Sequence, residues 1–177
     1  MGKLFDRMRK SVKKKVHPHC AAIVPAAGKS TRMDGEDKML AQLCGAPVLT
    51  RTLSVLDRAV LVDEMIRLGQ RTYAVAPALP VTDTVKVADM AGLVLSTPDR
   101  STLFAVQTPQ VFQANILKAA LQSALAAGAA LTDDCSAVER LGKEVYLTPG
   151  WRENIKITTP EDLSVAEAFL RRRGDAQ

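Results

Sequence analysis

The chain has 177 residues, enough for one domain with a sizeable core, and its 47% apolar content is that of a globular protein. No run approaches the roughly 20 apolar residues of a membrane helix, which argues against stable membrane insertion. The three cysteines, Cys20, Cys44 and Cys135, lie too far apart for a disulfide framework or a metal site, and this fits a reducing cytoplasm. Of the 24 Lys and Arg and 19 Asp and Glu that give a net charge of +5, residues 1–16 hold seven and one, so the body is near neutral and is not a nucleic-acid surface.

Residues 1–19 form a basic tail. Leu4, Phe5, Met8 and Val12 could line one side of a short basic helix, but four apolar residues bury little area and a solvated tail is the simpler reading. Ala21–Val24 is an apolar run that fits a buried strand, ended by Pro25. Ala26, Ala27 and Gly28 follow with nothing larger than a methyl group. Such a loop lets backbone N–H groups close on a phosphate, and Lys29, Arg32 and Lys38 come directly after it. A Walker A loop would need glycine where Ile23 stands, and the dinucleotide fingerprint needs two more glycines.

Cys44–Pro47 reads as a turn, with a helix starting near Pro47 whose buried face is Val48, Leu49, Thr52, Leu53, Val55 and Leu56. Residues 59–69 continue a helical pattern. Tyr73–Leu79 is a strand, and Val81–Pro98 a β-arm turning at Asp89–Gly92. Leu103–Thr108 is a strand, Gln113–Ala127 and Thr132–Leu141 are helices, and Lys143–Leu147 and Glu153–Ile157 are strand-like. The last helix opens on Thr159 and Pro160, with Glu161 and Asp162 at its positive end and Arg171–Arg173 at its negative end. Strands and helices intermixed over the whole length predict an α/β layer fold with a parallel core and Ala21–Val24 at its centre. The expected organisation is a tail over 1–19, one domain over 20–173 and a short tail over 174–177.

Five ordered blocks carry a resemblance: Pro25–Gly28 with Arg32-Met33 and Asp37-Lys38; Pro80–Lys86; Asp99–Ser101 with Gln107–Gln110; Thr132–Asp134; and Glu153–Leu163. Together they resemble the methylerythritol phosphate cytidylyltransferases of non-mevalonate isoprenoid synthesis. The resemblance implies a Rossmann-like, GT-A-like three-layer nucleotidyltransferase fold and transfer of CMP from CTP to a sugar-alcohol phosphate. It implies that Pro25, Ala26, Ala27 and Gly28 wrap the nucleotide and that Arg32 and Lys38 stabilise its phosphates. Asp83, Arg100, Thr108 and Thr132 would hold the acceptor, Lys156 would position the attacking phosphate, and the β-arm would carry Arg100 into a homodimer interface. Ordinary readings stand beside these: Asp83 as a turn cap and Arg100 as a surface arginine.

The chain also departs from the family. A glycine-rich base-reading segment and a strand ending in the magnesium-binding aspartate are both missing, which places a junction near residues 58–62. Magnesium is therefore implied without its ligand, and between Lys38 and Tyr73 the only acids are Asp57, Asp63 and Glu64 on helical pattern. The expected function is a cytidylyltransferase impaired by this loss. A pentitol (ribitol) phosphate cytidylyltransferase, a guanylyltransferase of molybdenum cofactor synthesis and a non-catalytic dimerising remnant are the rival readings.

Overall fold

The computed structural model describes residues 20–26, 33, 37–56 and 60–174. The basic tail and three expected site residues, Ala27, Gly28 and Arg32, lie outside them. Among the described residues, eight strands and five helices follow in chain order: β1 Gln42–Leu43, β2 Ala46–Pro47, α1 Val48–Leu56, α2 Val60–Gly69, β3 Ala74–Pro80, β4 Val87–Ala88 and β5 Val94–Ser96. Then come β6 Phe104–Val106, β7 Val111–Phe112, α3 Ala114–Ala126, α4 Asp134–Arg140, β8 Val145–Pro149 and α5 Pro160–Arg173. The chain divides into two compact units, Met1–Asp63 with Ile157–Gln177, and Glu64–Lys156.

In the second unit the four-stranded sheet is built on β3. Its first five residues are buried on both faces, as a near-continuous apolar strand requires. Ala78 pairs with both Val106 and Pro149, and Ala74 with both Phe112 and Val145. A strand has two edges, so the antiparallel β6 and β7 share one edge and the parallel β8 takes the other. The core is thus a mixed sheet whose one parallel pair is β3–β8.

Pro77 sits inside this central strand, where a missing N–H would normally break the ladder. Alternation explains why it is tolerated. The carbonyls of Tyr73 and Pro77 accept from the N–H groups of Gln113 and Gln107, and Val81 donates to Leu103. Odd-numbered backbone groups therefore face the β6/β7 edge. The nitrogen of Pro77 points at the gap where the chain leaves β6 and has not yet begun β7.

Helices α3 and α4 pack on one face of the sheet. Ala74 packs with Ala120 of α3 and Ala137 and Val138 of α4. On the other face Gly69, the last residue of α2, lies so close to Val111 and Val75 that a Cβ there would stand 3.0 Å from Val111 Cγ1. The β-arm is the antiparallel pair β4–β5, and its turn is held by Asp89, whose Oδ1 accepts from the N–H groups of Ala91 and Leu93.

In the first unit, β1 and β2 form a hairpin whose two central residues, Cys44 and Gly45, have φ of 48° and 76°. Two successive left-handed residues make a type I′ turn. Arg51 of α1 clamps it by donating to the carbonyls of Leu43 and Cys44. The first N–H groups of α1 are satisfied by Ala41 and Met39. Helix α5 begins at Thr159, where Asp162 reaches back and its Oδ2 accepts from Thr158 and Thr159 N–H at 2.8 and 2.9 Å. It ends at Gly174, whose φ of 75° favours glycine.

Three sequence expectations are corrected. Ala21–Val24 forms no strand and Ile23 is 85% exposed. A four-residue apolar run cannot hold extended structure without a partner, and none of the described strands pairs with it. Glu153–Ile157 is also irregular, because its chain leaves β8 without a further strand to follow. In α1, Thr52 and Leu53 are exposed, so the buried stripe is narrower than the periodicity predicted.

Candidate functional site

In the first unit, Lys38 is half-buried in the turn 37–40. Asp37 builds that turn: its Oδ1 accepts from Met39 N–H at 2.9 Å, and its carbonyl accepts from Leu40 and Ala41. Met33 is fully buried. Pro25 and Ala26 are exposed and in no regular element.

The second unit holds Asp83, Arg100, Thr108, Thr132 and Lys156, all exposed. Arg100 opens a one-turn 3-10 helix, Arg100–Thr102, capped by Asp99. The N–H and hydroxyl of Ser101 donate to the Asp99 carboxylate and hold its pKa below the ordinary value. Arg100 reaches back across the base of the arm, with Nη1 2.8 Å from the carbonyl of Thr82. The segments of Arg100 and Asp83 therefore meet at the carboxyl end of β3, the end where open α/β sheets bind ligands.

The segments that hold Thr108, Thr132 and Lys156 are each tied to residues 107–113 by side-chain hydrogen bonds. Gln107 Nε2 donates to the carbonyls of Trp151 and Asn154, both at 2.9 Å, and its Oε1 accepts from Trp151 N–H at 3.2 Å. Asn154 Nδ2 donates to the Thr108 carbonyl at 2.7 Å. Gln110 Nε2 donates to Asp133 Oδ2 at 2.8 Å, and Asp133 caps α4. Gln113 Nε2 donates to the Thr72 carbonyl at 2.7 Å. Three glutamines at a spacing of three thus tie three distant connections to one sheet edge: residues 150–156, 132–133 and 69–73. The spacing is visible in the sequence, but nothing there shows which carbonyls the amides meet. Asn154, Gly150 and the three glutamines are the positions that sequence reasoning left without a role.

Beneath this segment Cys135 is buried, and burial, with Asp133, Glu139 and Asp134 nearby, pushes its thiol up to about 12. It is therefore a packed thiol and no nucleophile. Among the described residues no three His, Cys, Asp or Glu side chains are grouped so as to hold a metal ion. None of the described helices is long and apolar enough to cross a membrane.

A family model described as IspD, 2-C-methyl-D-erythritol 4-phosphate cytidylyltransferase, matches residues 59–172. The chain belongs to this family. A cytidylyltransferase of that name from Desulforamulus reducens is 45% identical over 137 residues, covering 74% of this chain and 58% of the relative. One from Parasynechococcus marenigrum is 41% identical over 152 residues, or 82% of this chain and 66% of the relative. Among solved structures, the 2-C-methyl-D-erythritol 4-phosphate cytidylyltransferase of Thermus thermophilus superposes with a TM-score of 0.67 at 25% identity, covering 76% of this chain and 94% of that one. The 4-diphosphocytidyl-2C-methyl-D-erythritol synthase of Anaerococcus prevotii follows at 0.58 and 35% identity, covering 63% and 52%. The chain spans about half the length of the curated relatives it matches.

Proposed function

We propose that this chain derives from a cytidylyltransferase acting on CTP and methylerythritol phosphate, and that it retains the acceptor side of that site better than the nucleotide side. One observation carries the reading: in a chain of this family, residues 107–110 gather the segments of Thr108, Thr132 and Lys156. In the reaction, an oxygen of the acceptor phosphate bonds to the α-phosphorus of CTP as the bond to the β-phosphate bridge breaks and pyrophosphate leaves. No protein nucleophile is needed, so catalysis rests on positioning and on meeting the charge of the phosphates.

Lys156 would orient the attacking phosphate, Arg100 and Asp83 would hold the polyol phosphate with Thr108 and Thr132, and Arg32 and Lys38 would face the triphosphate held by residues 25–28. Magnesium is the cofactor that the family implies. The described residues do not fit it: no carboxylate cluster is present among them, and Asp37 is occupied in capping its own turn. We take the exposed β-arm, with Met90, Leu93 and Leu95 outward, as a homodimer surface, and the cytoplasm as the compartment.

The test is pyrophosphate release with CTP, magnesium and methylerythritol phosphate. Loss of one preorganised electrostatic partner costs about 10²–10³ in rate, so turnover should fall at least that far below a full-length relative. Saturable binding of the phosphate monoester should persist. Turnover within tenfold of a full-length relative overturns the impairment. Absence of both nucleotide and acceptor binding leaves the dimerising remnant.

A further inference from the structure

We infer that Gln107 is a positioning residue that fixes the 150–156 connection, and with it Lys156, against the end of β6 that carries Thr108. The inference rests on the proposed acceptor site and adds a residue to it. Lys156 stands in a segment with no ladder of its own, and it is exposed. Something other than a strand must set where its ammonium can reach.

Gln107 supplies that constraint from a rigid base. Its backbone N–H donates to Pro77 in the central strand at 2.7 Å, so its Cα is part of the sheet. Its carboxamide has two N–H donors and one carbonyl, and all are used across the gap: both donors on the Trp151 and Asn154 carbonyls, the acceptor on Trp151 N–H. Only one orientation of the amide satisfies this set, since the reverse would face its oxygen with two carbonyls. Asn154 returns the contact by donating to Thr108, the residue after Gln107. Lys156 is two residues beyond Asn154, within about 7 Å of chain. Gly150 completes the fit: a Cβ there would stand 2.3 Å from Gln107 Oε1. Its absence is what lets the carboxamide lie flat on the connection.

The experiment uses the full chain with Gln107→Met, which keeps the side chain's length and removes its hydrogen bonds. Trp151 is the one tryptophan in the sequence, so its fluorescence reports on this connection alone. In Gln107→Met we expect a red-shifted emission, stronger acrylamide quenching and faster amide exchange over 151–156 than in wild type, with β3 amides still protected. Affinity for methylerythritol phosphate should fall about tenfold or more, because misplacement of an ångström is enough for such a loss. Lys156→Ala should weaken binding without moving the Trp151 emission.

Unchanged emission, quenching and exchange in Gln107→Met would overturn the tie. A loosened connection with unaltered affinity would overturn the positioning role. If the wild-type chain fails to bind the phosphate monoester at all, the proposed acceptor site falls, while the Trp151 and exchange readouts still decide whether Gln107 holds the connection. Gly150→Ala, whose Cβ would displace the Gln107 carboxamide from the connection, repeats the test should Gln107→Met fail to fold.

Discussion

Replacing Gly150 with alanine should destabilise the protein, against the usual direction of glycine-to-alanine changes outside turns. Gly150 does not need a left-handed φ, so the replacement would ordinarily stabilise by about 0.4–1 kcal/mol through the unfolded chain. Here the new Cβ would lie 2.3 Å from Gln107 Oε1 and 3.1 Å from the carbonyl carbon and oxygen of Ala78. Ala78 is buried in β3 and cannot retreat, so Gln107 must leave. Its departure breaks the three carboxamide bonds to Trp151 and Asn154. At about 1 kcal/mol each, less the unfolded-state gain, the net loss is about 2–3 kcal/mol. For a chain of this length that is a fall in Tm of roughly 4–12 °C. The assay is thermal unfolding by circular dichroism alongside Trp151 emission, on a double-mutant cycle with Gln107→Ala. In that background the clash is already gone, so Gly150→Ala should cost much less. Gly69→Ala is the control: its Cβ meets only side chains, Val111 at 3.0 Å the nearest, and gains helix propensity, so it should stay within about 1 kcal/mol of wild type. A Gly150→Ala protein as stable as wild type, or additivity in the cycle, would refute the close approach of residues 107 and 150.

Asp162→Asn should lower Tm by about 2–4 °C through loss of the charged cap on α5. The Thr158 and Thr159 N–H groups hold the Asp162 pKa below its ordinary value, so its contribution is complete above the ordinary carboxylate pKa and fades as pH falls through the depressed one. The gap between wild type and Asp162→Asn should therefore close below about pH 4. With a disulfide thiol reagent at pH 8, exposed Cys20 should react at once and buried Cys135 only on unfolding. Because the folded Cys135 thiol is raised to about 12 from 9.0, stability should decline as pH rises above 9, and Cys135→Ala should flatten that decline. At the position aligned with Lys38 in a full-length relative, alanine should reduce kcat more than it raises KM for CTP; an unchanged kcat would make this an ordinary surface charge.

Much of the chain could be read before any coordinates. The helix over Pro160–Arg173 carries its own start and stop in Thr159, Pro160, Asp162 and Gly174, and capping is a local interaction that sequence spacing reports directly. The arm turn at Asp89–Gly92 and the left-handed pair Cys44-Gly45 are local in the same sense. The ordered blocks led to the family for the same reason: they are strings of neighbours. Strand assignment failed where it depended on partners. Ala21–Val24 and Glu153–Ile157 have strand composition, yet a strand exists only against a partner edge, and none of the described strands pairs with either. Pro77 shows the reverse: its residue type argues against a central strand, and the gap between β6 and β7 on the facing edge allows one. The ties of Gln107, Gln110 and Gln113 were hidden as well, since they join residues up to 47 positions apart. Local chemistry is written in the order of residues; which backbone groups face one another across the sheet is decided only when the chain closes on itself.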